Sequence, residues 1–434
     1  MSTTAEVRLW GRRIGAVSVE GPGAIASFEY DEAFTRSGIE VAPLMMPLSG
    51  RIYRFPELAV GSFHGLPGML ADALPDKFGH AVLDLWLAQH GRLPAEVDAV
   101  ERLCYTGSRG VGALEFRPAI GLQADESIRV HVDELVELAA SVLRGRQGLR
   151  ASFRDEEKEH ALREILRVGA SAGGARAKAV IAWDPKTNEV RSGQVTAPPG
   201  FEYWLLKFDG VAGNADKELA DPEGFGAIEY AYSLMAKAAG IRMTECRLFE
   251  ENGRRHFMTR RFDRLPGGEK LHVQSLGAIA HFDFNQAGAH SYEQALLVMQ
   301  RLGLSMAETE EQYRRAAFNI LARNQDDHVK NIAFLMDKQG KWSLSPAFDV
   351  AYSYNPSGPW TSRHQMSMNG KRDGFALDDF KAVARAASMK RGRAREILGE
   401  VAAAVSRWRE FGAEAGVAEE KIEQIAGAFR QITD

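Results

Sequence analysis

The segment NQDDHVKN, residues 324–331, gathers two adjacent carboxylates, a histidine, a lysine and two asparagines, with Val329 as its one sizeable apolar side chain. Its flanks decide how it is read. Upstream, TEEQYRRAAFNILARNQ places Tyr313, Ala317, Ile320 and Leu321 at separations of four, three and one. That spacing predicts a helix with a single buried stripe, ending near Asn324. Downstream, IAFLM, DKQGK and WSLSPAFD read as a strand, a turn containing Gly340, and a returning strand. A hairpin brings the chain back to where it started, so Asp349 is expected beside Asn331.

Phosphoryl transfer uses groups of this kind. It needs a carboxylate near the attacking hydroxyl and oxygen ligands for magnesium on nucleotide phosphates. Asp326 and Asn331 stand five positions apart and Asp349 follows the hairpin, which is the order of base and metal ligands in protein kinases. Taken alone, the same stretch also reads as a solvated loop whose Asp and Asn cap backbone groups.

Three upstream segments bear on the choice. RVGASAGGARAKAVIAW sets Gly169, Gly173 and Gly174 before an apolar strand, and glycines let backbone amides approach phosphate oxygens closely. It is no Walker A loop, because Ala175 and Arg176 stand where Lys and Ser/Thr are required. Ser171 lies inside it, as a phosphate contact or a phosphorylation site; a plain surface loop is the competing reading. EYWLLKFDG ends an apolar strand on Lys207, which needs a partner for its ammonium. Glu229, on the next helix, is the candidate; the alternative is a lysine reaching solvent and a glutamate paired on its own helix. In MTRRFDR, backbone groups from Arg260 to Phe262 are placed to meet an adenine.

Composition sets the frame. The 434 residues are 45% hydrophobic and 26% charged, with a net charge of −4, ordinary for a folded chain and too mild for a global attraction to nucleic acid. Two cysteines, Cys104 and Cys246, argue against a disulfide framework and a cysteine zinc site and fit a reducing cytoplasm. No apolar run suits a membrane helix or a signal-peptide core. The patterns predict an α+β, bilobal, protein-kinase-like fold. A strand-rich subdomain spans 1–122, a nucleotide-binding lobe with the glycine-rich loop spans 123–275, and a mostly helical catalytic lobe spans 276–434. LPGMLADALPDKFGHAVLDLWLAQHG is expected as helix up to Gly91.

SAGGARAKA, LLKFDG, RRFDR, NQDDHVKN and SPAFDVAYS resemble, in order and spacing, the motifs of HipA-type bacterial toxin kinases. LWGRRIGAV, FHGLPGMLADALPDKFG and GVGALEFRP are similar to the N-terminal subdomain of that family, so the resemblance covers nearly the whole chain. It implies a serine/threonine protein kinase with a lipid-kinase-like core, using ATP and Mg2+. It implies growth arrest through phosphorylation of a protein such as an aminoacyl-tRNA synthetase. A HipB-like helix-turn-helix antitoxin is the implied partner, with DNA bound only through it. Carried over, Asp326 is the catalytic base and Asn331 and Asp349 are the magnesium ligands. Ser171, Ala172, Gly173, Gly174, Lys207, Arg260, Phe262, Gln274 and His328 surround the nucleotide, with Gln274 on the ribose. Glu229 supports Lys207. Ser171 is the implied autophosphorylation site, and phosphate there should expel the loop and inactivate the enzyme. Asp327, Lys330 and Asn324 are left to shape the loop. Arg176, Ala177 and Arg260 depart from the best-known member's residues.

Other features are read as structural. GSRGVGAL, from Gly107, is taken as a turn. His281 and Asp283 are taken as local hydrogen bonding, and KRGRAREI, from Lys390, as a solvated helix face. Two rival functions remain: a non-catalytic co-repressor scaffold for a helix-turn-helix protein, and a small-molecule phosphotransferase.

Overall fold

The computed structural model describes residues 2–120, 129–145, 176–211 and 223–432. Ser171, Ala172, Gly173 and Gly174 lie outside the described residues. Among the described residues, no helix is long and apolar enough to cross a membrane.

The first two strands form a hairpin. β1 (Thr3–Leu9) and β2 (Arg12–Val19) pair around Trp10 and Gly11, both at positive φ. Alternate residues Ala5, Val7 and Leu9 are buried, the period of a half-buried strand. β3 (Ser27–Tyr30) and β4 (Leu114–Arg117) complete a sheet of order β3-β2-β1-β4.

The long helix expected up to Gly91 is broken. One turn forms at Gly68–Ala71, and α1 (Lys77–Gln89) starts afresh after Pro75. Proline lacks the amide a continuing helix needs. Asp76 restarts it by accepting from Gly79 N at 2.6 Å, a side-chain N-cap.

A second antiparallel sheet, of order β6-β5-β7-β9-β8, holds β5 (Lys178–Trp183), β6 (Val190–Ser192), β7 (Glu202–Lys207), β8 (Cys246–Glu251) and β9 (Arg254–Arg260). α2 (Val132–Gly145) precedes it and α3 (Phe225–Ala238) runs between β7 and β8. A third sheet joins β10 (His272–Ser275) to β11 (Ala333–Met336) and β12 (Trp342–Leu344). From Leu276 onward, helices otherwise dominate, including α4 (Leu276–Ala280), α5 (Tyr292–Arg301), α6 (Met306–Leu321), α7 (Leu377–Ala386) and α8 (Arg393–Val405).

Two hydrophobic cores hold these parts, and they ignore the boundaries expected at 122 and 275. The first runs from the N-terminal sheet through α3 into the helical part. The second buries Phe78, Val82 and Trp86 of α1 against Ala179, Ile181 and Leu206 of the five-stranded sheet. β10 pairs with β11 across the boundary drawn at 275. An apolar helix face is buried against whatever sheet leaves room for it, and composition along the chain does not report that choice. Cys104 and Cys246 are both free and buried.

Candidate active site

The stripe on α6 is buried as its spacing requires: Tyr313, Ala317, Ile320 and Leu321 are at most 2% exposed. The helix ends at Leu321, and Arg323 takes the left-handed conformation (φ 56°) usually left to Gly or Asn. Tertiary bonds hold it there. Arg323 Nε donates to Ala428 O at 2.6 Å, its NH1 to Gln325 Oε1 at 3.0 Å, and its guanidinium lies over the Tyr354 ring. Arg430 NH2 reaches the same Gln325 Oε1 at 3.5 Å.

After this anchor the two carboxylates part. Asp327 is buried and accepts from Tyr292 OH (2.5 Å), His364 Nδ1 (2.9 Å) and Gln365 N (2.7 Å). Burial alone would raise its pKa, but His364, Tyr292 and the Gln365 amide outweigh burial and hold it below the usual carboxylate value. Asp326 faces outward, its side chain 45% exposed. Trp360 Nε1 donates to Asp326 Oδ1 at 2.8 Å, and Ser353 Oγ accepts from its backbone N–H at 3.1 Å. Asn331 Nδ2 donates to Asp326 O at 2.7 Å. That bond fixes the amide, so its carbonyl oxygen is the atom presented to a ligand.

The hairpin β11–β12 delivers Asp349 as its sequence implied. His328, Asn331 and Asp349 line one recess. Asp349 itself sits at φ 51°, a conformation Asp tolerates better than most residues, and it meets Lys207 Nζ directly. Lys207 Nζ also donates to Glu229 Oε1 at 2.5 Å. Burial opposes the Lys207 charge, yet Asp349 and Glu229 outweigh it and raise its pKa. Burial likewise opposes the Asp349 charge; Lys207 and Lys178 overcome it and hold that carboxyl at about 2.

The position of Glu229 follows from the start of α3. Asp209, two residues after Lys207, accepts from Gly224 N at 3.0 Å and Gly226 N at 3.1 Å. The carboxylate thereby caps α3 and ties it to the end of β7. A Cβ on Gly226 would lie 2.2 Å from Arg255 O, so only glycine lets α3 approach β9 this closely. Glu229 comes one turn later. Its second oxygen accepts from Arg176 NH1 at 2.8 Å, and the Arg176 guanidinium stacks over Phe225. Sequence reasoning missed this role of Arg176. It also missed Trp360, for which no local motif gives a signal.

The remaining expected residues fall in different places. Phe262 packs against Phe348, ring centroids 5.6 Å apart, next to Asp349. The Arg260 side chain pairs with Glu202 and Glu245, and its N–H donates to Glu245 O. The charges of RRFDR are used internally: Asp263 accepts from Arg261, Arg264 and Gly112 N, clasping the turn that follows Gly107. Gln274 is not brought to the recess. It shares the buried face of β10 with His272, and its Nε2 donates to Val41 O at 2.6 Å. His281 Nε2 accepts from Gly68 N, and Arg393 pairs with Glu310, Glu396 and Glu400.

Among the described residues no three His, Cys, Asp or Glu side chains converge on a metal position. Magnesium does not need three, since it is commonly held by one or two carboxylates with phosphate and water completing the octahedron. Asn331 and Asp349 form such an open oxygen set, and Lys207 beside them suits a polyphosphate.

The chain matches known proteins along most of its length. Residues 5–117 match the family model of the HipA N-terminal domain, and residues 170–408 that of the HipA-like C-terminal domain. No curated protein sequence matches it. Its fold is similar to a chain of the Shewanella oneidensis MR-1 toxin–antitoxin complex of HipA, HipB and operator DNA. The TM-score is 0.68 at 16% identity, over 98% of this chain and 94% of that one. The Helicobacter pylori proinflammatory kinase CtkA aligns with 49% of this chain and 90% of its own, at 11% identity and a TM-score of 0.30, too low to bear on the fold. With its N-terminal region matched and the C-terminal match alone spanning more than half the sequence, the chain belongs to the HipA family.

Proposed function

We propose that the protein is an ATP- and Mg2+-dependent serine/threonine protein kinase and the toxin of a toxin–antitoxin pair. The observation that carries this reading is buried Lys207, held between Glu229 and Asp349, the second of which lines the recess together with Asn331. A solvated loop has no use for a buried lysine shared by two carboxylates, whereas phosphate binding does.

Bound Mg-ATP supplies the phosphoryl group and the cation that offsets its charge. The chain's own residues do the rest. Lys207, oriented by Glu229, holds phosphate oxygens, and Asn331 and Asp349 hold the metal. Asp326, fixed by Trp360 through Oδ1, keeps Oδ2 for the proton of the incoming serine or threonine hydroxyl. As that oxygen bonds to the γ-phosphorus, the bond to the departing ADP breaks and the proton goes to Asp326.

In this reading the substrate is a protein such as an aminoacyl-tRNA synthetase, and the cell compartment is the cytoplasm. Autophosphorylation of Ser171 switches the enzyme off. A HipB-like antitoxin is the partner, consistent with the composition of the Shewanella complex, and DNA is reached only through it. The test is labelled phosphate transfer from ATP, with phosphoproteomics after induction, for wild type and Asp326→Gln. Transfer by wild type alone is expected. Equal, negligible transfer with equal growth arrest would sink the enzyme reading in favour of a scaffold.

A further inference from the structure

The loop that carries Asp326 forms no regular element from Asn324 to His328, so no ladder of backbone bonds fixes it. Side chains do so instead. Asn331 Nδ2 donates to the Asp326 carbonyl and Trp360 Nε1 to its Oδ1. The Asp326 N–H goes to Ser353, which lies four residues after Asp349. The Ser353 backbone docks just upstream, its own N–H donating to Arg323 O at 3.3 Å.

The bond from Asp326 to Ser353 is the first of a series. A backbone N–H can only donate, so Ser353 Oγ accepts at 3.1 Å and turns its proton to Asn324 Oδ1, also at 3.1 Å. Ala351 O is a more distant acceptor, at 3.5 Å. With its oxygen so engaged, Asn324 directs Nδ2 to Asn319 Oδ1 at 2.9 Å, and Asn319 directs Nδ2 to Tyr292 OH at 3.1 Å. Tyr292 in turn donates to Asp327 Oδ2 at 2.5 Å, and a carboxylate can only accept. The series therefore runs from an obligate donor to an obligate acceptor, with every link pointing the same way. It leaves the loop at the amide of Asp326 and returns at the side chain of Asp327. Tyr292 and Asn324 are 1% and 5% exposed, and bonds in such a buried row polarise one another.

Ser353 is the one member drawn from outside α5, α6 and the loop itself. Its place requires a hydroxyl, a single oxygen that accepts from an amide and donates to Asn324. Alanine there would strand the Asp326 amide and the Asn324 oxygen together.

We propose that Ser353 is a positioning residue for the base, holding the Asp326 backbone so that the carboxylate meets the incoming hydroxyl. One short segment then supplies Asp349 to the metal and Ser353 to the base, and sets the two in register. This inference rests on the kinase reading above and assigns a further residue to it.

The test uses the full-length protein as wild type, Ser353→Ala and Ser353→Thr, with melting temperature as a folding check. One readout is hydrogen exchange of the Asp326 amide, which reports its bond directly. The other is labelled-phosphate transfer from ATP to a fixed amount of total bacterial cell protein, resolved into maximal rate and KM for ATP. Ser353→Ala should exchange the Asp326 amide about tenfold faster or more and lower the maximal rate by about tenfold, the effect of a mis-aimed group. Its KM for ATP should stay unchanged. Ser353→Thr keeps the hydroxyl and should restore both exchange and rate. Unchanged exchange in Ser353→Ala overturns the inference, as does faster exchange with an undiminished rate. A merely structural serine gives a third result that also overturns it: a raised KM together with a lowered rate, not restored by threonine. In each of these cases wild type still transfers phosphate. Absence of transfer by wild type overturns the kinase reading as well. Should Ser353→Ala fail to fold, Ser353→Cys, with a thiol that donates and accepts only weakly, decides by the same two readouts.

Discussion

Asp326 and Asp327 are neighbours in the chain and face opposite ways. Asp327 is clasped inside by Tyr292, His364 and the Gln365 amide, while Asp326 is turned outward and held by Trp360. The inner carboxylate fixes the loop and leaves the outer one exposed, as the proposed role of Asp326 as base requires.

Removing them should therefore have different consequences. Asp327→Ala leaves buried Tyr292 and His364 without their acceptor and should cost about 3 kcal/mol or more of stability. Asp326→Asn should abolish phosphate transfer while changing stability by less than about 1 kcal/mol. Chemical denaturation and labelled-phosphate transfer measure the two effects; equal stability losses would contradict the division of roles.

The Lys207–Asp349 pair has a pH signature. The Asp349 carboxyl is held at about 2 in the folded protein, below its unfolded value of about 4. A depressed carboxylate pKa stabilises the fold fully above the unfolded value, and the contribution is lost as pH falls through about 2. Lys207→Met should be destabilised by about 2 kcal/mol at neutral pH. The gap to wild type should narrow below roughly pH 4, as Asp349 takes up a proton in the variant. Urea titrations at a series of pH values show this; a gap that widens toward acid would be incompatible with the pairing.

Gly226 sets how closely α3 approaches β9. Gly226→Val must push the helix off Arg255 O and carry Glu229 with it, costing about 1–3 kcal/mol and raising KM for ATP. Gly399, inside α8, has no atom within 4 Å of the Cβ it lacks. Gly399→Ala should stabilise by about 0.5–1 kcal/mol and leave activity alone. Comparing the two by thermal melts and kinetics separates close approach from backbone freedom.

Trp360→Phe keeps an aromatic ring and deletes the donor to Asp326 Oδ1. With the carboxylate less firmly aimed, kcat should fall about tenfold or more with KM for ATP nearly unchanged. A rise in KM with unchanged kcat would place Trp360 in nucleotide binding instead.

Local patterns carried much of the site. The stripe on α6, the hairpin after the loop and the lysine ending β7 each follow from side-chain period, and together they bring Asp326, Asn331, Asp349 and Lys207 to one place. What local pattern cannot report is a partner far along the chain. Asp76 and Lys178 meet only because α1 packs under the five-stranded sheet, and Pro75 breaks the helix that composition alone would run straight through. Gln274 was misplaced by a matter of facing: chain order sets it near the nucleotide, but its position on β10 turns it toward Val41. Arg176 looked like a departure within a loop motif, and its bond to Glu229 exists only once α3 is in place.

The bonds from Arg323 to Ala428 and from Arg430 to Gln325 join residues 105 positions apart. Synthesis runs in one direction, so a growing chain displays the aspartate proposed as base well before it owns the brace behind it. A product cut short ahead of residue 428 would carry every group the chemistry requires on a loop lacking that hold. Competence is thereby deferred until late in translation.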